Sequence, residues 1–375
     1  MGITLSHVSA LDATRAIRCK GSDLREMTTT KLLAPSVWRG ERWRTGLFGE
    51  ADWQWQTPSK RHHLHVLVDH NGSSIRMATI ESHVQTRELP PNSIIWLDRH
   101  ASMVCPELLF LQMAQVLSLP ALVLLGYELC GNFSRAPIAS QQSKAITHVP
   151  SATSVAQIST YLTSAVGVWG VKAARRALRY VSDHALSVPE SILATMYALP
   201  LEEYGYGMGF ISLNQRVRIG DENPDEHERK GSVAKSRFPD LMLSIAPIGI
   251  NYDGEGHLDL DALIQAAQRV TTTKGDEHKE ALVELMDVRD AIRTKYVDDI
   301  VRNRQLASEG RLVFPAMKED LCSIQSLDDF TRDLLKCANL YFGVEIGAHL
   351  RALDDTESKL ERENLLKQLQ DGSKP

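Results

Sequence analysis

Asp240, Asn251, Asp253, Glu255 and His257 stand within one stretch, RFPDLMLSIAPIGINYDGEGH, at positions 237–257. Two apolar runs, residues 241–245 and 248–250, separate Asp240 from the others. Runs this short, bounded by Pro and Asp-Gly, predict a β-hairpin buried on one face. Such a hairpin brings acidic side chains to one edge, where carboxylate oxygens can surround a hard divalent cation. An acidic turn beside two core strands is the alternative that the same residues allow.

Other groups with chemical potential lie outside this stretch. Residues 171–184 (VKAARRALRYVSDH) predict a helix carrying Lys172, Arg175, Arg176 and Arg179. The i, i+4 spacings give it a basic face suited to phosphate-backbone contact, or simply to solvent. Glu190 falls in the first turn of a helix opening at Ser187, where the helix dipole favours an acid. His62, His63 and His65 flank a short strand at 64–68, but no fourth metal ligand stands nearby in sequence. His7 reads as a capping or surface residue at the start of the first helix. Residues 36–60 hold four of the six tryptophans among arginines, a pattern that can stack on bases or pin an irregular loop.

The elements that must position these groups follow from periodicity and punctuation. A chain of 375 residues has room for two or three cores. A net charge of −5 gives no global nucleic-acid signature but leaves a local basic patch open. Five cysteines without CxxC spacing argue against a disulfide framework or zinc ribbon and suit a reducing cytoplasm. The most apolar stretch, 108–125, is interrupted by Gln112, Gln115 and Pro120 and reads as buried core, so no membrane partner is expected.

An Asn-Gly turn at 71–72 predicts that the strand at 64–68 returns over 75–80. Further strands are expected at 94–97, 210–219 and 311–314, and helices at 259–270 and 276–308. Residues 132–153 read as a linker, and 220–236 as a hairpin loop. Leu353, Leu360, Leu365, Leu366 and Leu369 mark an amphipathic C-terminal helix, packed on the body or offered to a protein partner.

The order of these pieces resembles the PD-(D/E)XK nuclease superfamily, in particular its very-short-patch-repair-like branch in actinobacterial proteins. Ser187-Val188-Pro189-Glu190 resembles the family's helix start, and Pro239-Asp240-Leu241 its acidic strand. Tyr252-Asp253-Gly254-Glu255-Gly256-His257 resembles its Tyr-Asp-Gly-x-x-His turn. Asp299, Arg302, Leu306 and Gly310 match its late helix pattern. The resemblance covers about residues 165–322. The N-terminal part more loosely resembles AbiEi-type abortive-infection proteins.

The resemblance implies a restriction-endonuclease-like mixed sheet flanked by helices over 165–322. A smaller mixed α/β domain at 1–135, a linker and connecting helix at 136–164, and a helical extension at 323–375 complete the expected organisation. It also implies Mg²⁺ or Mn²⁺ held by Asp240, Asn251 and Asp253, with Glu190 assisting, His257 moving a proton and DNA as partner. Where the family places Glu, this chain has Asn251, which brings an oxygen but no charge. The functions implied are therefore a DNA endonuclease, a degenerate one, an AbiEi-type regulator or a non-catalytic defence protein.

Overall fold

A computed structural model describes residues 3–27, 29–30, 58–97, 101–137, 145–219, 235–253 and 260–372. The architecture is mixed α/β and divides into two compact units. Unit 1 comprises Met1–Gly207 with Asn364–Pro375, and unit 2 comprises Met208–Glu363.

Unit 1 begins with β1 (Ile3–Leu5), α1 (His7–Cys19), β2 (Thr29–Thr30), β3 (Leu64–Val68), β4 (Ile80–Val84), β5 (Ile94–Trp96) and β6 (Ala101–Val104). These strands form one mixed sheet in the order β2-β5-β6-β1-β3-β4. Strand β1 is fully buried, runs parallel to β6 and antiparallel to β3. Strand β4 lies parallel to β3, not antiparallel as the Asn-Gly turn suggested. A two-residue type I′ turn needs positive φ at both central residues. Neither Asn71 nor Gly72 has it, and both instead join a single 3₁₀ turn that begins the path to β4.

Helices α2 (Pro106–Met113), α3 (Leu119–Cys130), α4 (Val155–Ser164), α5 (Val171–Leu178) and α6 (Val188–Ala198) complete this part of unit 1, with a two-strand ribbon of β7 (Phe133–Ser134) and β8 (Ile146–Thr147). Helix α3 is buried from Ala121 to Cys130, as its apolar residues on all sides require. It packs against α2, α5 and α6, which is why the unit extends to Gly207, inside the stretch 165–322. The described residues of the stretch 132–153 are tied into unit 1. Val149, Ala152 and Thr153 are buried, and Val149 and Ala152 donate backbone hydrogen bonds to Asn132 and Leu129.

Two arginines of α1 tie that helix to α3. Arg15 grips the Glu128 carboxylate in bidentate fashion at 2.8 and 2.7 Å. Arg18, buried, donates to the carbonyls of Glu128, Gly131 and Pro150. It thus satisfies acceptors that the end of α3 leaves over, with a positive charge where the helix dipole is negative.

Unit 2 contains β9 (Ile211–Leu213), β10 (Val217–Ile219), β11 (Lys235–Arg237), β12 (Leu241–Leu243), β13 (Ile248–Asp253) and β14 (Leu312–Met317). Its helices are α7 (Leu260–Thr272), α8 (Asp276–Ser308), α9 (Ile324–Phe342), α10 (Gly347–Asp354) and α11 (Thr356–Gln370), the last continuing into unit 1 at Asn364. The main sheet has the order β14-β13-β12-β9. The expected hairpin is present as antiparallel β12 and β13, and β14 lies parallel to β13. Pro315 sits in β14, at the sheet edge where a missing N–H is tolerated.

The strand expected over 210–219 is broken in two. Asn214 adopts φ +49°, and β9 and β10 enter different sheets on either side of it. Helix α8 ends where Gly310 takes φ +72°, a conformation glycine adopts without steric cost. Leu353, Leu365, Leu366 and Leu369 are buried, whereas Leu360 is exposed. Among the described residues, no helix is long and apolar enough to cross a membrane.

Candidate functional site

In unit 2 the β12–β13 pairing sets Leu241 opposite Ile250, which places Asp240 beside Asn251. Period-two alternation along β13 puts Asn251 and Asp253 on the same face. The hairpin therefore places Asp240 and Asn251 side by side, with Asp253 two residues further along the same face of β13. The polar atoms of Asp240 and Asn251 are engaged within the protein. Asn251 is 1% exposed. Its Oδ1 accepts the Asp240 N–H at 3.2 Å, and its Nδ2 donates to Asn303 Oδ1 on α8, also at 3.2 Å. The Asp240 carboxylate accepts the Tyr252 N–H at 2.6 Å.

The late helix motif has comparable duties. Asp299 and Arg302 pair at 2.9 Å one turn apart, and Leu306 is fully buried. Arg237 reaches α8, donating to Gln305 at 2.8 Å and to Asp298 at 3.1 Å. A Mg²⁺ cradle needs carboxylate charge left over from such internal bonds. The donors described here offer two carboxylates, one of them holding a strand, and a neutral amide already bonded on both ends. Mg²⁺ is held by one or two carboxylates with waters, so this set makes a weaker cradle than three carboxylates would; His257 and Glu255 lie outside the described residues.

Glu190 belongs to unit 1. It is buried at the start of α6, where Oε1 accepts the Ser187 hydroxyl at 2.8 Å and Oε2 the Leu186 N–H at 3.0 Å. Ser187 Oγ in turn accepts the Glu190 N–H, a reciprocal cap.

The basic residues also lie in unit 1. Lys172, Arg175, Arg176 and Arg179 are all exposed, although α5 ends at Leu178 rather than at residue 184. Arg175 donates to the Leu162 carbonyl at 2.9 Å, and Arg176 pairs with Glu203. Trp169, just before the helix, is 80% exposed. The tryptophans at 38, 43, 53 and 55 lie outside the described residues.

Unit 1 holds a second cluster. The parallel β3–β4 register sets His65 opposite Glu81 and Leu67 opposite His83. Alternation then puts His65, Glu81 and His83 on one face of the sheet. His65 Nδ1 lies 2.9 Å from His83 Nε2, one ring donating to the other. Glu81 Oε2 lies 3.7 Å from His65 Nδ1 and 3.8 Å from His63 Nδ1, and its Oε1 lies 3.8 Å from His83 Nε2. His65, Glu81 and His83 are the group of three or more potential metal ligands found among the described residues, with their ligand atoms within 4.8 Å of one another.

His7 completes the stack. Its ring lies face to face with His83, centroids 3.6 Å apart. It is buried, not a surface residue, because its ring packs on that ring and its backbone N–H donates to Gln112 Oε1 at 3.1 Å. Its φ of +49° is a costly conformation for a residue with a Cβ and is held by these contacts. Burial first, then the adjoining His83 and His65, pushes the His7 pKa down to about 3. Burial likewise lowers His65 and His83, so the rings are kept neutral. The cluster opens on a cavity of about 730 Å³, walled by apolar residues of α2 and α3 and also lined by Arg15, Arg135 and Asp371.

Sequence spacing pointed to His62, His63 and His65 but missed Glu81 and His83. The missing ligands come from a neighbouring parallel strand, and a hairpin pairing would have set a different register. The alternation Glu81-x-His83 was the available signal. No family model, curated protein or solved structure matches the chain.

Proposed function

We propose that the chain is a DNA-binding protein containing a restriction-endonuclease-like unit that no longer hydrolyses phosphodiesters. The observation that carries this reading is Asn251. It occupies the position where the resembled nucleases place a glutamate, and its amide is committed to Asp240 and Asn303. With one carboxylate fewer the edge holds a metal more weakly, and charge developing on a phosphate loses that stabilisation. Order and pairing support the fold: a hairpin with acids at one edge, a parallel neighbour after a long helix, and the helix-ending Gly310.

DNA is the partner suggested by the exposed basic residues of α5 and by Trp169, whose indole offers a stacking surface. Backbone contacts of this kind hold DNA without reading its sequence. The test is a pair of assays on the full chain: fluorescence anisotropy with duplex and single-stranded DNA across a salt series, and supercoiled-plasmid nicking with Mg²⁺ or Mn²⁺. Salt-sensitive binding without nicking is expected. Nicking that Asp240→Ala abolishes would restore the enzyme reading, and absence of binding at low salt would remove DNA as the partner.

A further inference from the structure

We propose that His65, Glu81 and His83 form a binding site for a divalent transition metal of the Zn²⁺ class, with its remaining coordination position open to the unit 1 cavity. The ligand chemistry is that of two imidazoles and one carboxylate. This set, with one position left to solvent or ligand, is used by zinc at reactive sites and by other borderline cations. Mg²⁺ and Ca²⁺ prefer all-oxygen surroundings, so this site is chemically distinct from the acidic edge of unit 2.

Geometry supports it. The three ligand-atom separations are 2.9, 3.7 and 3.8 Å. Nitrogens bound at ~2.0–2.1 Å to a tetrahedral ion stand ~3.4 Å apart, so parting the two imidazoles by roughly half an ångström admits the metal. The ligands sit on adjacent strands in fixed register, not on loops, so the backbone already holds them in place.

The surroundings favour a site over an incidental surface cluster. His7 is stacked on His83, and its Nδ1 is enclosed with no hydrogen-bond partner among the described residues. Its positive φ places a strained residue beside the candidate ligands. The His65 backbone is fixed in both directions: its N–H donates to Ser9 Oγ at 2.9 Å, and its carbonyl accepts the Ser6 N–H at 3.1 Å. The cavity of about 730 Å³ is large enough for a small molecule to approach the open position.

The test uses the full chain stripped of metal by chelator and titrated calorimetrically with Zn²⁺, then with Co²⁺ under visible spectroscopy. One equivalent should bind, and the Co²⁺ spectrum should show d–d bands without a thiolate charge-transfer band. Glu81→Gln and His83→Gln should each weaken Zn²⁺ binding at least ~100-fold, since loss of an outer-shell partner alone costs 10–100-fold. Asp240→Asn should leave it unchanged. Glu81 is half exposed, so its substitution does not threaten folding and decides the matter if His83→Gln fails to fold. Three outcomes overturn the proposal: no stoichiometric binding, a thiolate band, or affinity unaltered by Glu81→Gln.

Discussion

Asp240 and Tyr252 are joined by a 2.6 Å hydrogen bond from the Tyr252 backbone N–H to the Asp240 carboxylate. The acid expected to hold a metal therefore also staples β12 to β13. Asp240→Asn keeps an acceptor for that N–H and should cost less than ~1 kcal/mol. Asp240→Ala leaves it without one and should cost about 1–3 kcal/mol. Urea denaturation of the two variants checks the difference; equal stabilities would show that the bond carries no weight.

Asn251→Glu restores the charge that the resembled nucleases carry at this position. It places a longer, ionised side chain where Asn251 is 1% exposed. The metal-free variant should be less stable by about 1–3 kcal/mol, from desolvation and from repulsion by Asp240 and Asp253. Mn²⁺ should raise its melting temperature by mass action more than it raises that of the wild type at the same concentration. Equal shifts in both proteins would place any bound Mn²⁺ elsewhere.

The hairpin and the long helix of unit 2 were legible because local signals set them. Pro239-Asp240 and the Asp-Gly that begins at the last residue of β13 punctuate the sequence there, and the helix runs over the same 276–308 that the sequence predicted. The histidine site was half legible. His65 was visible beside its strand, but Glu81 and His83 enter through a parallel pairing that no turn signal encodes. Glu190 shows how one residue can carry two signals: a motif match grouped it with the acids, and its side chain also caps the start of α6.

Lys172 and Arg179 are the members of the basic group whose side chains make neither an ion pair nor a hydrogen bond among the described residues. Replacing both with Ala should lower the slope of log K against log salt by about 1.8, since each phosphate contact contributes ~0.9 for duplex DNA. Anisotropy titrations from low to moderate salt measure it. An unchanged slope would assign these residues to ordinary solvated surface.

Glu128 makes the stability of unit 1 acid-sensitive. Burial alone would raise its pKa, but the Arg15 guanidinium, with Arg135 and Arg18 near it, outweighs burial and lowers the value from the ordinary 4.5 to about 2. A depressed carboxylate stabilises the fold fully above pH 4.5, and that contribution is lost as pH falls toward 2. The loss should be on the order of 3 kcal/mol. Glu128→Gln should be less stable at neutral pH yet flatter in that window. Thermal melts from pH 7 to pH 2 read this directly, and parallel acid limbs would contradict it.

In unit 2, Arg362 and Asp328 are both nearly sealed from solvent and meet in a bidentate pair at 3.0 and 2.9 Å. Arg362 also donates to the Ala352 carbonyl at 2.8 Å. Arg362→Ala strands a buried carboxylate and should cost about 3–5 kcal/mol, whereas replacing both partners with apolar residues should recover much of it. A double-mutant cycle by chemical denaturation tests the pair.

Unit 1 is discontinuous, and this bears on how the protein is made. Leu365, Leu366 and Leu369 are buried, and Gln368 bonds to Ser118 at 2.7 Å. Asp371 and Gly372 line the cavity beside the histidine cluster. These residues leave the ribosome after all of unit 2. During translation the first 207 residues must therefore persist with part of their apolar surface uncovered and the cavity wall unfinished, while unit 2 has all of its sequence first. The nascent N-terminal part is thus the segment with the greater need of chaperone protection.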